Sequence, residues 1–192
     1  MSRLLRLLGS WSLYLGLTLT SVYASGAAAE PTRNPIPAQV THIEGYPFPA
    51  KIAGLARGHK TDYNEPGLGF SVHYGKPGES WADIYIYNSG ENLAAADPRK
   101  ASAEQREIAL GDIKTAVSAG SYQNATLIEK TEAAPFAKAH LAITQNRKTR
   151  DSYVFITLRK NNFVKIRLTT SAGNPDQLAG KFAAEYARLL KK

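Results

Sequence analysis

The residues best suited to chemistry lie on two neighbouring stretches of alternating pattern. Ser71 and His73 alternate with Phe70, Val72 and Tyr74, while Trp81, Asp83, Tyr85 and Tyr87 alternate with Ala82, Ile84 and Ile86. Alternate side chains of an extended strand share a face. Each stretch therefore presents one apolar face and one carrying hydrogen-bonding groups and aromatic rings. Lys76-Pro77-Gly78 turns the chain between them, so a hairpin brings His73 toward Asp83 or Tyr85. Rings beside hydrogen-bonding groups are the materials of a small-ligand cleft. His73, Asp83, Tyr85 and Tyr87 are accordingly candidate ligand-binding residues. The competing account is that these tyrosines simply pack under a helix or loop.

A second candidate set is cationic. Between positions 147 and 167 stand Arg147, Lys148, Arg150, Arg159, Lys160, Lys165 and Arg167, opposed only by Asp151. Such a concentration steers anionic partners. The partner class is an anionic envelope component, such as lipid headgroups or polysaccharide, or an acidic protein. The competing account is a solvated strand face whose edge lysines discourage pairing. Nucleic acid is not expected, because the aromatic and cationic alternation of Phe163, Lys165 and Arg167 fits no recognisable nucleic-acid module.

Enzyme chemistry finds little footing. Ser71 and His73 are two apart on one strand, and no nucleophile elbow surrounds the serine. His59, His73 and His140 lack the spacing of a metal motif, and no catalytic residue, metal or cofactor is assigned. Glu129 and Glu132 flank a strand end, Asp62, Asn64 and Glu65 fit no calcium-loop pattern, and Gly67-Leu68-Gly69 precedes a strand where a phosphate loop follows one. An envelope hydrolase remains a third and weaker alternative.

The elements that must position these groups are legible from periodicity. Lys51–Lys60 reads as a bent edge strand broken by Gly54 and Gly58. Gly69–Tyr74 and Trp81–Tyr87 form the hairpin. From Ser102, which with Gln105 matches a capping box, Ile108, Ala109, Ile113, Ala116 and Val117 mark a helical stripe ending near Gly120. Strands are expected at Ala125–Lys130 and Ala139–Asn146. Tyr153–Arg159 and Phe163–Thr169 alternate about Lys160-Asn161-Asn162, with one face read as core and the other as a mix of aromatics and cations. Asn174-Pro175-Asp176 caps a final helix whose stripe is Leu178, Phe182, Tyr186 and Leu189.

The chain has 192 residues, 43% of them hydrophobic and 21% charged, and it contains no cysteine. Globular composition excludes a wholly disordered chain, and the missing thiols exclude disulfides, thiolate catalysis and cysteine-linked lipid. The formal charge is +8. Arg3 and Arg6, an apolar stretch through Leu19, and Val22-Tyr23-Ala24 read as a signal peptide over residues 1–24, cleaved before Ser25, with a cut among Ala27, Ala28 and Ala29 as the alternative site and a retained N-terminal anchor as the competing account. Residues 25–38 lack periodicity and read as a flexible mature N-terminus, leaving 39–192 as a single domain. The expected location is the bacterial periplasm or the exterior, with no transmembrane segment in the mature chain.

A Pro-Gly-x-Gly-Phe turn of Pro66, Gly67, Gly69 and Phe70 leads into the hairpin; a middle helix, long antiparallel strands and a closing helix follow. In this order the chain resembles the PsbP-like superfamily over about residues 52–190. The resemblance implies an α+β fold in which an antiparallel sheet is sandwiched between helices. It also implies a non-enzymatic accessory or binding protein of the thylakoid lumen or bacterial envelope. No functional motif matches, so no site residue is carried over.

Overall fold

A computed structural model describes residues Glu30–Lys191. The expected signal peptide, residues 1–24, lies outside the described residues. The chain opens with four short strands, β1 (Thr32–Pro35), β2 (His42–Ile43), β3 (Tyr46–Pro47) and β4 (Lys51–Ile52). There follow β5 (Leu55–Asp62), β6 (Phe70–Lys76), β7 (Ser80–Tyr87) and helix α1 (Pro98–Ser118). The second half holds β8 (Asn124–Ala133), β9 (Phe136–Gln145), β10 (Lys148–Arg159), β11 (Asn162–Thr170) and helix α2 (Pro175–Leu189).

Nine strands form one antiparallel sheet of order β1-β5-β6-β7-β11-β10-β9-β8, with β4 also paired to β5; β2 and β3 pair separately. After β7, helix α1 carries the chain over one face to the far edge. The meander β8 to β11 then walks back until β11 lies beside β7. Helix α1 packs on β8, β9 and β10, whereas α2 packs on β4, β10 and β11. The result is a mixed α+β fold in which two helices pack the sheet, each against its own core.

The α2 side is built from the apolar stripes read in the sequence. Phe70, Val72, Tyr74, Ala82, Ile84 and Ile86 join Val164, Ile166 and Leu168 beneath Phe182 and Tyr186. The other side gathers Ala109, Leu110 and Ile113 of α1 over Leu141, Ile143, Val154, Ile156 and Phe163. This corrects the expectation of a single core face on the last hairpin. Tyr153 and Phe155 belong to the α2 core, Val154 and Ile156 to the α1 core, and all four are buried. The unbroken apolar run over 153–156 is the sequence counterpart of a strand buried on both faces.

Two further expectations are corrected. Helix α1 begins a turn before Ser102: Asp97 is its N-cap, accepting from Lys100 N at 2.8 Å, and Pro98 opens the first turn. Ser102 is buried instead and donates to Pro98 O at 2.5 Å. The helix is also rotated from the expected stripe, for Ile108 is exposed and Leu110 buried. The segment 25–38, read as lacking structure, contains β1, paired to β5 through Thr32↔Asp62 and Pro35↔His59. All four β1 side chains are exposed, so no alternation betrays it. It is held by the backbone ladder and by Asn64, whose Nδ2 donates to Glu30 O and Thr32 Oγ1. Arg57 fastens the next loop by donating to the carbonyls of Pro37, Val40 and Phe48.

Candidate functional site

Because α1 covers β8 to β10, its side of β6, β7 and β11 is left as the wall of a cavity of about 390 Å³. That volume is within the range of small-molecule sites. Register decides what lines it. His73 on β6 stands opposite Asp83 on β7, which stands opposite Arg167 on β11. One step along the sheet, Ser71, Tyr85 and Lys165 form the parallel row, and Trp81 pairs with Thr169. Alternation sends these residues to the α1 side and their apolar neighbours to the α2 core.

The His73 Nδ1–H donates to Asp83 Oδ1 at 2.9 Å. Its ring stacks on His59 with centroids 5.3 Å apart. Gly58 and Gly75 flank it so closely that a β-carbon on either would stand 3.2 Å or 3.0 Å from the imidazole. The two glycines thus make a slot for the ring. Tyr63 stacks on Tyr85 at 6.2 Å and shares a 3.0 Å hydrogen bond with Ser71. Burial raises the Tyr85 phenol well above its usual range and raises Tyr63 as well. Both are neutral hydroxyls at ordinary pH.

Three cations face the same space. Arg167 lies over Tyr122, 5.4 Å from the ring, and donates from Nη2 to its hydroxyl at 3.0 Å. Arg150 stands 5.5 Å above Trp81. The Lys165 Nζ is 4.5 Å from the Tyr85 ring and 5.3 Å from Tyr87. Among the described residues none of the three forms an ion pair with a carboxylate. Burial lowers the Lys165 ammonium to about 8, Asp112 opposing and Arg167 assisting. Burial likewise raises the Asp112 carboxyl, against the pull of Lys165 and Arg167.

The two candidate sets of the sequence therefore partly merge. His73, Asp83 and Tyr85 line the cavity together with Arg150, Lys165 and Arg167. Tyr87 does not line it: the residue is buried against α1, where its hydroxyl accepts from Gln105 Nε2 at 3.0 Å. Nor do the seven cations make one patch. Arg147 and Lys148 sit at the β9–β10 turn, and Arg159 and Lys160 at the β10–β11 turn, at opposite ends of the long strand β10. Lys160 is engaged in holding the β2–β3 turn, donating to Gly45 O at 2.9 Å. Sequence reasoning missed Tyr63, Trp81, Asp112 and Tyr122 as lining groups. Two of them left a trace: Trp81 alternates onto the strand face of Asp83 and Tyr85, and Asp112 is a charge set one residue before Ile113 on the packed side of α1.

Among the described residues no helix is long and apolar enough to cross a membrane. No family model matches the chain, and no curated protein matches it. Among solved structures, the solution structure of cyanobacterial PsbP (CyanoP) from Synechocystis sp. PCC 6803 is similar at 14% identity, over 88% of this chain and 96% of that one, with a TM-score of 0.40. The chain thus bears a weak structural similarity to the PsbP-like fold.

Proposed function

We propose that this chain is an exported, non-enzymatic binding protein whose cavity holds a small anionic ligand with an aromatic or apolar body. Export rests on the N-terminal pattern of basic residues, apolar stretch and small-residue cleavage site. One observation carries the binding proposal: Arg150, Lys165 and Arg167 converge on one cavity and, among the described residues, none of them forms a direct ion pair, although Asp83 and Asp112 also line it. Partly buried cations are costly to desolvate unless something compensates them. Low-dielectric walls also focus their field on the space between them. An anionic group completes that arrangement, and the faces of Trp81, Tyr85 and Tyr122 suit a flat or apolar body. Docking of a large anionic surface is less well supported, since the cations expected to share one surface divide between the cavity and two remote turns.

The sequence has two tryptophans, Trp11 and Trp81; in protein processed before Ser25 only Trp81 is left, so its emission reports the cavity. Anilinonaphthalene sulfonate, an aromatic anion, is expected to bind the folded protein at one saturable site and to quench Trp81. Arg167→Ala weakens that binding at least about tenfold, the scale of one lost charge-assisted hydrogen bond. Arg147→Ala with Lys148→Ala, outside the cavity, leaves it unchanged. Equal affinity in wild type and Arg167→Ala would remove the basis of the proposal.

A further inference from the structure

The cavity's lysine differs in kind from the others. Lys60, Lys76, Lys130 and Lys138 are each tied to a carboxylate. Lys51, Lys100, Lys114, Lys148 and Lys181 are exposed. Lys165 is half-buried, forms neither an ion pair nor a hydrogen bond among the described residues, and rests on the faces of two tyrosines. An amine so placed lines the cavity with its lone pair unclaimed whenever its proton is absent.

We infer that Lys165 captures a carbonyl: the cavity takes a small aldehyde or oxo acid, anchors its carboxylate on Arg150 and Arg167, and joins its carbonyl carbon to Lys165 Nζ as a reversible imine. This rests on the anion-binding proposal above and names the ligand class within it. The neutral amine adds its lone pair to the carbonyl carbon while the C=O π pair moves to oxygen, which takes up a proton. The nitrogen, cationic after the addition, releases one of its two protons to leave a neutral carbinolamine, whose nitrogen lone pair forms C=N as the C–O bond breaks and the oxygen, protonated a second time, leaves as water. The nitrogen gives up its remaining extra proton or keeps it as an iminium. No electrons are gained or lost. Asp112 lies on the α1 side of the same cavity, placed to relay the proton released by the nitrogen to the oxygen that leaves as water. The ammonium's depression to about 8 leaves a usable fraction of free amine near neutrality, where an exposed lysine has almost none.

The test uses para-carboxybenzaldehyde as probe and benzaldehyde as the control without a carboxylate. Each is incubated with folded protein and cyanoborohydride at pH 7, and the reduced adducts are mapped by peptide mass spectrometry. Lys165 is expected to be labelled at least about tenfold faster than exposed Lys148, from its larger free-amine fraction. The carboxylated probe should outpace benzaldehyde at Lys165 only. Arg167→Ala should erase that preference, with circular dichroism confirming the variant's fold. If Lys165 is labelled no faster than Lys148 while Trp81 still reports saturable sulfonate binding, the imine is wrong and the anion site stands. If both probes label Lys165 equally fast, the carboxylate-bearing class is wrong. If neither labelling preference nor saturable quenching is seen, both proposals fall together.

Discussion

At the scale of single residues, the site depends on a turn as much as on its polar groups. Gly69 adopts φ +61°, and a β-carbon there would stand 2.0 Å from Ile86 O. Gly67, at φ +82°, is pressed against Gly90 in the same way. This close approach fixes how β6 enters the ladder, and the Phe70↔Ile86 pairing leads directly to His73↔Asp83. Gly69→Ala is therefore expected to lose about 3 kcal/mol or more through clash and a left-handed backbone combined. Chemical denaturation should show a lowered midpoint against Gly54→Ala, where φ is also positive but space is open. An equal loss in the two variants would show that the close approach adds nothing. His73, Asp83 and Tyr85 were legible from alternation, because a short hairpin brings near neighbours in sequence together. Tyr87 shares their face in the strand, yet α1 covers it, and nothing local to the strand records where that helix lies.

Elements show where local signals compete. Ser102 with Gln105 satisfies a capping-box pattern, but Asp97-Pro98 is the stronger start because a carboxylate accepts the orphan N–H and proline suits the first turn. The helix then gains another turn, and Gln105 is spent on Tyr87. Asp97→Ala is expected to cost about 1 kcal/mol in urea unfolding. Ser102→Ala should cost less, because the Ser102 hydroxyl bonds back to a carbonyl one turn earlier and caps nothing. A larger loss at Ser102 would restore it as the cap. For the closing helix the signals agree: Asn174 accepts from Gln177 N at 3.2 Å, and Ala179, Phe182, Ala183 and Tyr186 are buried. The edge strands were the least legible: β1 went unread, and β8 runs past both ends of the expected Ala125–Lys130. β1 and β8 carry mostly exposed side chains, so their order comes from backbone pairing that side-chain periodicity does not report.

For the whole molecule, titration of buried groups sets a measurable pH profile. Burial raises the phenols of Tyr63, Tyr74, Tyr85, Tyr87, Tyr153 and Tyr186. Above their usual value near 10 the unfolded chain releases these protons first, so stability present below pH 10 is lost as pH rises through it. Lys165 acts oppositely. Its amine titrates near 8 in the fold and near 10.5 when freed, so the unfolded chain holds the extra proton in that window and stability rises across it. Urea unfolding from pH 7 to 11 should show a shallow rise above pH 8, followed by a steep fall beyond 10. Each proton involved contributes at most about 1.4 kcal/mol per pH unit. In Lys165→Met the rise should vanish while the fall remains; a rise that persists would place its source elsewhere. Most elements, the two hairpins, the α2 core stripe and the approach of His73 to the strand face that carries Asp83 and Tyr85 follow from periodicity and turn chemistry over short separations, and so could be read in the sequence; the register that pairs His73 with Asp83 could not. That Arg150, Lys165, Arg167, Asp112 and Tyr122 share one cavity with His73, Asp83 and Tyr85 is set by contacts between elements distant in sequence. That convergence depends on α1 crossing the sheet and on β11 returning beside β7, and periodicity specifies which side of a strand a residue occupies without specifying which distant strand will lie next to it.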